Sequence, residues 1–280
     1  MTTILSNIKI KELEEKARDI RISIIEMLAE AKSGHTGGPL GMADVFALLY
    51  FYMLKHDPQN PSWSERDRLV LSNGHICPVL YATMAHAGYL PLEELKTLRK
   101  FGSRLQGHPH REFLPAMETS SGPLGEGLSQ AVGMALALRV DGKENQVYCL
   151  MGDGELNEGQ IWEAAMLAGK EKLGKLIGIV DRNNIQIDGS TDKVMPLLPL
   201  KEKFEAFNWH AIEADGHDFQ SLNNALVEAQ AITDKPSIII ARTIPGKGVP
   251  EIENDYHWHG KAPSKEEAER FISVLKNPSL

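Results

Sequence analysis

Disulfide chemistry is the first thing this chain lacks. It has two cysteines in 280 residues, Cys77 and Cys149. Both lie in apolar surroundings, which suits buried thiols in a reducing compartment and a cytoplasmic location. A basic stripe is missing too. The formal net charge is −8 and the pI about 5.7. Lys and Arg are scattered, so nucleic acid is not an expected partner. The longest apolar run, Val45–Leu54 (VFALLYFYML), is too short to span a bilayer. It reads as a buried core or interface helix, and no membrane partner is expected. No basic-then-apolar signal pattern opens the chain, and no low-complexity segment or internal repeat interrupts it. What remains is 42% hydrophobic and 24% charged, an ordinary globular composition with length enough to bury a full core.

The most informative stretch is Gly152-Asp153-Gly154-Glu155, followed thirty residues after Asp153 by Asn183-Asn184-Ile185. Val147–Met151 (VYCLM) is a short apolar run ending at Gly-Asp-Gly, which reads as a buried strand entering a tight turn. Gln160–Leu173 carries apolar residues at helical spacing. Leu176–Val180 (LIGIV) is a second apolar strand, ending at Asp181-Arg182-Asn183. A right-handed crossover sets the carboxyl ends of both strands on one edge of a parallel sheet, which brings Asp153 and Asn183 together. Mg²⁺ wants hard oxygen ligands in near-octahedral geometry, usually a few protein groups plus phosphate oxygens. An Asp carboxylate, an Asn amide oxygen and one backbone carbonyl leave room for two diphosphate oxygens and a water. Gly154 lets the backbone approach an anion. A lone Gly-Asp-Gly is more often a plain turn with a capping Asp; the asparagines at the end of the next strand favour the metal reading.

The rest of the chain fits one α/β domain over residues 1–280, a mostly parallel sheet with helices on both faces. Lys9–Lys32 is a long amphipathic helix with Leu13, Ala17, Ile20, Ile24, Met27, Leu28 and Ala31 on one side. Ala43–Lys55 is the next helix. Leu69–Ser72 is a strand feeding Asn73-Gly74-His75, and Ala116–Gly127 is a loop entering the helix Leu128–Val140. His210–Ala214 and Ser237–Ala241 are strands, with the helix Leu222–Ile232 between them. Ligands of such sheets sit beyond the carboxyl ends of the strands. His35, His75, His108 and His259 each lie beside Gly in a loop. Singly, each is more often a surface or packing histidine.

Taken in order, these segments resemble the transketolase family. The resemblance rests on SGHTGGPLG (33–41), DRLVLSNGH (67–75), GHP (107–109), SGPLGEG (121–127), the long block from Gly152 to Gly189, and WHGKAP (258–263), and covers roughly residues 10–265. It implies the thiamine-diphosphate-binding fold, with thiamine diphosphate and Mg²⁺ as cofactors and sugar phosphates as substrates. The metal ligands would be Asp153, Asn183 and the carbonyl of Ile185. The cofactor would meet His75, Gly122, Leu124, Asp153, Gly154, Asn183, Ile187 and His259. The catalytic imidazoles would be His35, His75, His108 and His259. Imidazole suits that work because it donates to anionic oxygens and shuttles protons near neutral pH. His56, His86, His110, His210, His217 and His257 match none of these motifs and read as structural or solvated. Glu158 and Glu163 are either an exposed acidic face or part of a network at a subunit interface. Lys247 is either a charge near the diphosphate or a surface lysine.

A transketolase also has a pyrimidine-binding and a C-terminal domain, which are expected on a partner chain. The expectation is an N-terminal subunit that works with a C-terminal subunit in an α₂β₂ assembly, with Val45–Leu54 as a candidate contact. Ser264 and Glu267 form a capping-box pattern opening a short helix, and Asn277-Pro278 closes it, which reads as a finished end. Two departures from the family pattern stand out. Thr36 replaces the usual proline of Gly-His-Pro-Gly. Ile76 follows His75 where a small residue is common, and it is expected to narrow the channel. A specialised transketolase for an unusual sugar, the α subunit of a 2-oxo-acid dehydrogenase and a deoxyxylulose-phosphate synthase remain alternatives.

Overall fold

Strands buried on both faces cannot alternate between apolar and polar residues, and the three inner strands here do not. In the computed structural model, which describes residues 4–187 and 189–277, five strands form one parallel sheet. They are β1 (Arg68–Leu71), β2 (Val147–Gly152), β3 (Leu176–Arg182), β6 (His210–Asp215) and β7 (Ser237–Arg242). Their order across the sheet is β1-β2-β3-β7-β6. A separate two-residue hairpin, β4 (Ile185–Gln186) with β5 (Gly189–Ser190), follows β3. The helices in chain order are α1 (Asn7–Ala31), α2 (Gly37–Gly41), α3 (Ala43–Leu48), α4 (Cys77–His86), α5 (Glu126–Val140), α6 (Gly159–Lys170), α7 (Thr191–Val194), α8 (Leu200–Ala206), α9 (Phe219–Ala231) and α10 (Lys265–Lys276).

Side chains of β2 divide by the period of two that a strand imposes. Tyr148 and Leu150 enter one core with residues of α1, α3, α4, α9 and α10. Val147, Cys149 and Met151 enter the other, with residues of α5, α6 and α8. Ile239 and Ala241 of β7 belong to the first core and Ile238 and Ile240 to the second. Each short apolar run is thus the centre of a three-layer stack, and both cysteines are buried and free. Among the described residues no helix is long and apolar enough to cross a membrane.

The expected helices and strands are present, with shifted ends. The helix after β2 runs Gly159–Lys170, and α5 starts at Glu126. The capping box forms, since Ser264 and Glu267 each bond the other's backbone. Pro278, expected to close that helix, lies outside the described residues. Ala43–Lys55 is not one helix: α3 ends at Leu48 and a π-helical turn, Leu49–Met53, follows. The apolar run there is mainly core. Val45 to Leu49 are fully buried and Tyr52 is the exposed member, so little of Val45–Leu54 is free to act as a contact.

One buried ion pair ties the layers beneath the site. Arg21 of α1 bonds both carboxylate oxygens of Asp44 at 3.0 and 2.6 Å and the carbonyl of Leu40 at 3.1 Å. His217 meets Asp44 through Nδ1 at 2.7 Å and accepts the N–H of Ile244 at Nε2. An Nε2 that accepts requires the proton on Nδ1, so His217 donates to Asp44. This clamp fixes the segment after β7 against α2, where Gly246 N–H bonds Gly37 O at 2.8 Å.

Candidate functional site

The carboxyl ends of β1, β2 and β3 open into a cavity of about 480 Å³. All eleven residues expected to serve the site line it: His35, His75, His108, Gly122, Leu124, Asp153, Gly154, Asn183, Ile185, Ile187 and His259. They come from seven segments. His75 follows β1 through Asn73-Gly74. Asp153 follows β2, and Asn183 follows β3. Registry places Gly152 beside Asp181 across that pair, which brings the two metal-motif turns together. His35 sits between α1 and α2, His108 and Gly122 in the long loop before α5, and His259 near the chain's last helix.

Three of the imidazoles form a compact triangle. Ring centroids are 5.0 Å apart for His35 and His75, 5.4 Å for His35 and His259, and 5.2 Å for His75 and His259. Burial disfavours their charged forms and each ring disfavours charge on the others. Burial, then His259, Arg99 and His108, brings His35 down to about 4. His75 is held well below its ordinary value by burial and then by His35. Burial lowers His259. Burial, then Arg99, lowers His108. At neutral pH this is a set of neutral imidazoles facing a cavity, able to donate from one nitrogen and accept at the other. His35 Nδ1 is buried without a partner.

The floor is carboxylate and amide. Asp153 Oδ2 accepts from Arg182 at 2.9 Å and from the N–H of Asn184 at 2.7 Å, and Oδ1 accepts from the N–H of Gly154 at 2.8 Å. Burial raises Asp153 above the usual carboxylate range although Arg182 opposes it. Asn183 is oriented by Asp181, which accepts its amide at 2.9 Å, and Asn183 Oδ1 accepts from Ile185 N–H at 2.9 Å. Asp181 is itself held by Thr243. A Cβ on Gly154 would lie 3.1 Å from Gln186 Cγ, so a side chain there would have to push Gln186 aside. Among the described residues no cluster of three or more His, Cys, Asp and Glu side chains is arranged as a metal site. The donors here are instead a carboxylate, an amide oxygen and the backbone, a set that suits a hard ion completed by phosphate oxygens.

Several expectations change. Ile76 does not line the cavity. It is wholly buried, and its Cγ2 would touch a Cβ on Gly38 at 2.9 Å, so its bulk is taken up where α2 begins. Thr36 bonds Lys261 O through its hydroxyl at 2.6 Å, tying the His35 loop to the His259 loop, a contact proline cannot make. Lys247 is not among the lining residues. Ile187 sits at the rim, 65% exposed. Glu158 and Glu163 are both exposed, and only Glu158 reaches the cavity. The six other histidines make structural contacts, such as His56 with Tyr50 and Tyr89 and His86 with Ser23. The lining residues without an expected role are Asn73, Glu155, Asp181 and Gln186 among others. Asn73 is fully buried with neither amide atom bonded. They stand inside the quoted motifs, but only the fold reveals which way they face.

Residues 13–275 match the family described as "Transketolase, thiamine diphosphate binding domain". The chain is 44% identical over 265 residues to the 6-deoxy-6-sulfo-D-fructose transketolase subunit SqwG of Clostridium sp. (strain MSTE9), covering 95% of this chain and 96% of that protein. It is 38% identical to an apulose-4-phosphate transketolase subunit of Phocaeicola vulgatus, covering 94% of each. Among solved structures it is similar to the transketolase from Campylobacter jejuni, with a TM-score of 0.91 and 38% identity. That match covers 96% of this chain and 44% of the other.

Proposed function

Because the chain belongs to the family of transketolase thiamine-diphosphate-binding domains, we propose that it is the N-terminal subunit of a split transketolase. The enzyme moves a two-carbon ketol unit from a ketose phosphate to an aldose phosphate with thiamine diphosphate and Mg²⁺. The observation that carries this reading is the convergence of His35, His75, His108 and His259 on the same cavity as Asp153 and Asn183. Two relatives of subunit length, matched nearly end to end, support a division of the enzyme between chains. The partner would carry the pyrimidine-binding and C-terminal domains, and two copies of each chain would complete two sites in the cytoplasm.

The residues present fit the cofactor. Asp153, Asn183 and the carbonyl of Ile185 would hold Mg²⁺, and Gly154 would admit the diphosphate. His75 and His259 would donate to diphosphate oxygens. Gly122 and Leu124 would meet the aminopyrimidine side, and Ile187 the thiazolium edge. Bound thiamine diphosphate supplies the electron sink for cleavage beside the ketose carbonyl. His35, kept neutral by its surroundings, would take a proton from a donor hydroxyl, and His108 would orient the hydroxyls. Glu158 at the cavity and Glu163 outside it, both exposed, would join a network with the partner.

A second reading, a transketolase for an unusual sugar, is favoured by the names of both subunit-length relatives. The test is to mix the chain with its partner, thiamine diphosphate and Mg²⁺, and to offer xylulose 5-phosphate with ribose 5-phosphate. Parallel mixtures take 6-deoxy-6-sulfofructose or apulose 4-phosphate as donor. Turnover of the pentose phosphates only in the mixture, abolished by Asp153→Ala, is expected. Turnover of an unusual donor alone would select the second reading. Turnover by the single chain would refute the split-subunit reading.

A further inference from the structure

The loop carrying Gly122 and Leu124 is tied just before Gly122 by Ser121 N–H, which donates to Pro109 O at 3.0 Å. It is pinned at three points near its end. Leu124 O accepts from Gln160 Nε2 at 3.0 Å. Gly125 N–H donates to Glu155 Oε1 at 2.7 Å. Gly127 N–H donates to Ser72 Oγ at 3.1 Å, and Ser72 in turn donates to Glu155 Oε1. The other carboxylate oxygen, Oε2, accepts from Gly152 N–H at 3.0 Å. Glu155 therefore links the end of β1, the end of β2 and the start of α5 through one side chain. Gly125 has φ +86, where a side chain is strained, and a Cβ there would stand 2.7 Å from Glu158 Cβ.

The choice of residue is informative. Glu155 is 2% exposed, and its hydrogen-bond partners are a hydroxyl and two backbone N–H groups, with no cation among them. Burying a carboxylate without a cation is costly. Packing alone would favour an apolar residue. Three donors aimed at two oxygens are what only a carboxylate accepts in full.

We propose that Glu155 is a positioning residue that fixes the Gly122–Gly125 loop against the Gly152–Gly154 turn, so that the site accepts the thiamine half of the cofactor as well as its diphosphate. The proposal rests on the cofactor reading above. The hydrogen bonds of Glu155 go to none of Asp153, Asn183, His75 and His259, which would hold the diphosphate end. A Gln whose one oxygen stays on Gly152 N–H turns its NH₂ toward Gly125 N–H, which frees the loop and leaves the Gly152–Gly154 turn in place.

The test separates the two halves. The full chain with its complementary subunit is titrated by calorimetry, in Mg²⁺, with thiamine diphosphate and separately with inorganic diphosphate. Glu155→Gln has one acceptor oxygen, so its NH₂ faces an N–H donor. It is expected to raise the Kd for thiamine diphosphate roughly tenfold or more and to leave that for inorganic diphosphate within about twofold. Ser72→Ala keeps both N–H bonds to Glu155 and should shift the ratio of the two Kd values in the same direction by less. It decides the matter if Glu155→Gln does not fold. Equal weakening of both ligands, or of neither, would overturn the proposal. Failure of the wild-type complex to bind either ligand would overturn the cofactor reading, and the proposal with it.

Discussion

Acid should loosen the unliganded fold earlier than its carboxylates alone would, and His35 is the reason. The ring sits in the imidazole triangle with its folded-state value brought down to about 4 by burial, His259, Arg99 and His108, against an ordinary 6.5. The sign is fixed by proton counting. Above pH 6.5 neither the folded nor the unfolded chain protonates this ring. Below it the unfolded chain binds a proton that the folded chain refuses, so stability falls as pH drops and levels off near 4. The gap caps the effect at about 3 kcal/mol. Water in a 480 Å³ cavity relaxes part of it, so about 1–2 kcal/mol is expected from His35 alone. Urea unfolding of wild type and His35→Asn, without cofactor, between about pH 7.5 and about pH 4.5 measures this. The variant should lose less stability than wild type across that window. A diphosphate placed beside the same rings reverses the electrostatics and raises their proton affinity. Its binding should therefore take up protons near pH 6, which calorimetry in buffers of different ionisation enthalpy detects. Parallel stability profiles for wild type and variant, or binding without proton uptake, would refute the reasoning.

Two other perturbations test the scaffold. Gly38→Ala aims a methyl at Ile76 Cγ2 from 2.9 Å and should cost about 1–3 kcal/mol by overpacking. Ile76→Ala opens a cavity worth about 2–4 kcal/mol, and the double variant should be more stable than the sum by about 1 kcal/mol or more; strict additivity in urea unfolding would show that the two do not share the space. For Asp44, burial alone would raise its value, but Arg21 and His217 outweigh burial and hold it below the usual range. Its stabilisation is therefore present above about pH 4 and lost as pH falls lower. Asp44→Asn leaves Arg21 buried with half a partner and should cost about 3–5 kcal/mol at neutral pH, with a flatter stability profile below about pH 4 by thermal melting.

The β-α-β unit was readable because the stretch of a strand buried on both faces inside the core must be apolar, and Val147–Met151 of β2 and Leu176–Val180 of β3 are. Handedness then dictated that Asp153 and Asn183 share an edge. The histidines were readable only as a set, since nothing in one His-Gly pair separates a ligand from a packing residue. Direction was not readable. Ile76 declares its size in the sequence, but whether it faces the channel or Gly38 depends on a helix that begins some forty residues earlier. Arg182 stands beside Asn183 in the chain, yet its partner Asp153 lies in the turn after another strand. Glu155 takes its partners from Ser72 and Gly125, 83 and 30 residues away. The π-helical turn after Leu48 replaces the expected straight helix where Tyr50 must pack against His56 and Tyr89, a demand set by residues outside the segment.

Parallel topology also imposes an order of events on synthesis. No two neighbouring strands of the sheet can pair by a simple hairpin, and β1 must wait for β2, more than seventy residues later, before it has a neighbour. The outer strand β6 is made before β7, which separates it from β3. A cavity whose walls include both His35 and His259 therefore cannot exist on a nascent chain until the whole sheet, which ends at Arg242, has left the ribosome. Such non-local assembly is slow and exposes unpaired strands on the way. The last wall to arrive bears one of the three clustered imidazoles, so a chain that arrests late in elongation carries most of the scaffold and none of a closed pocket.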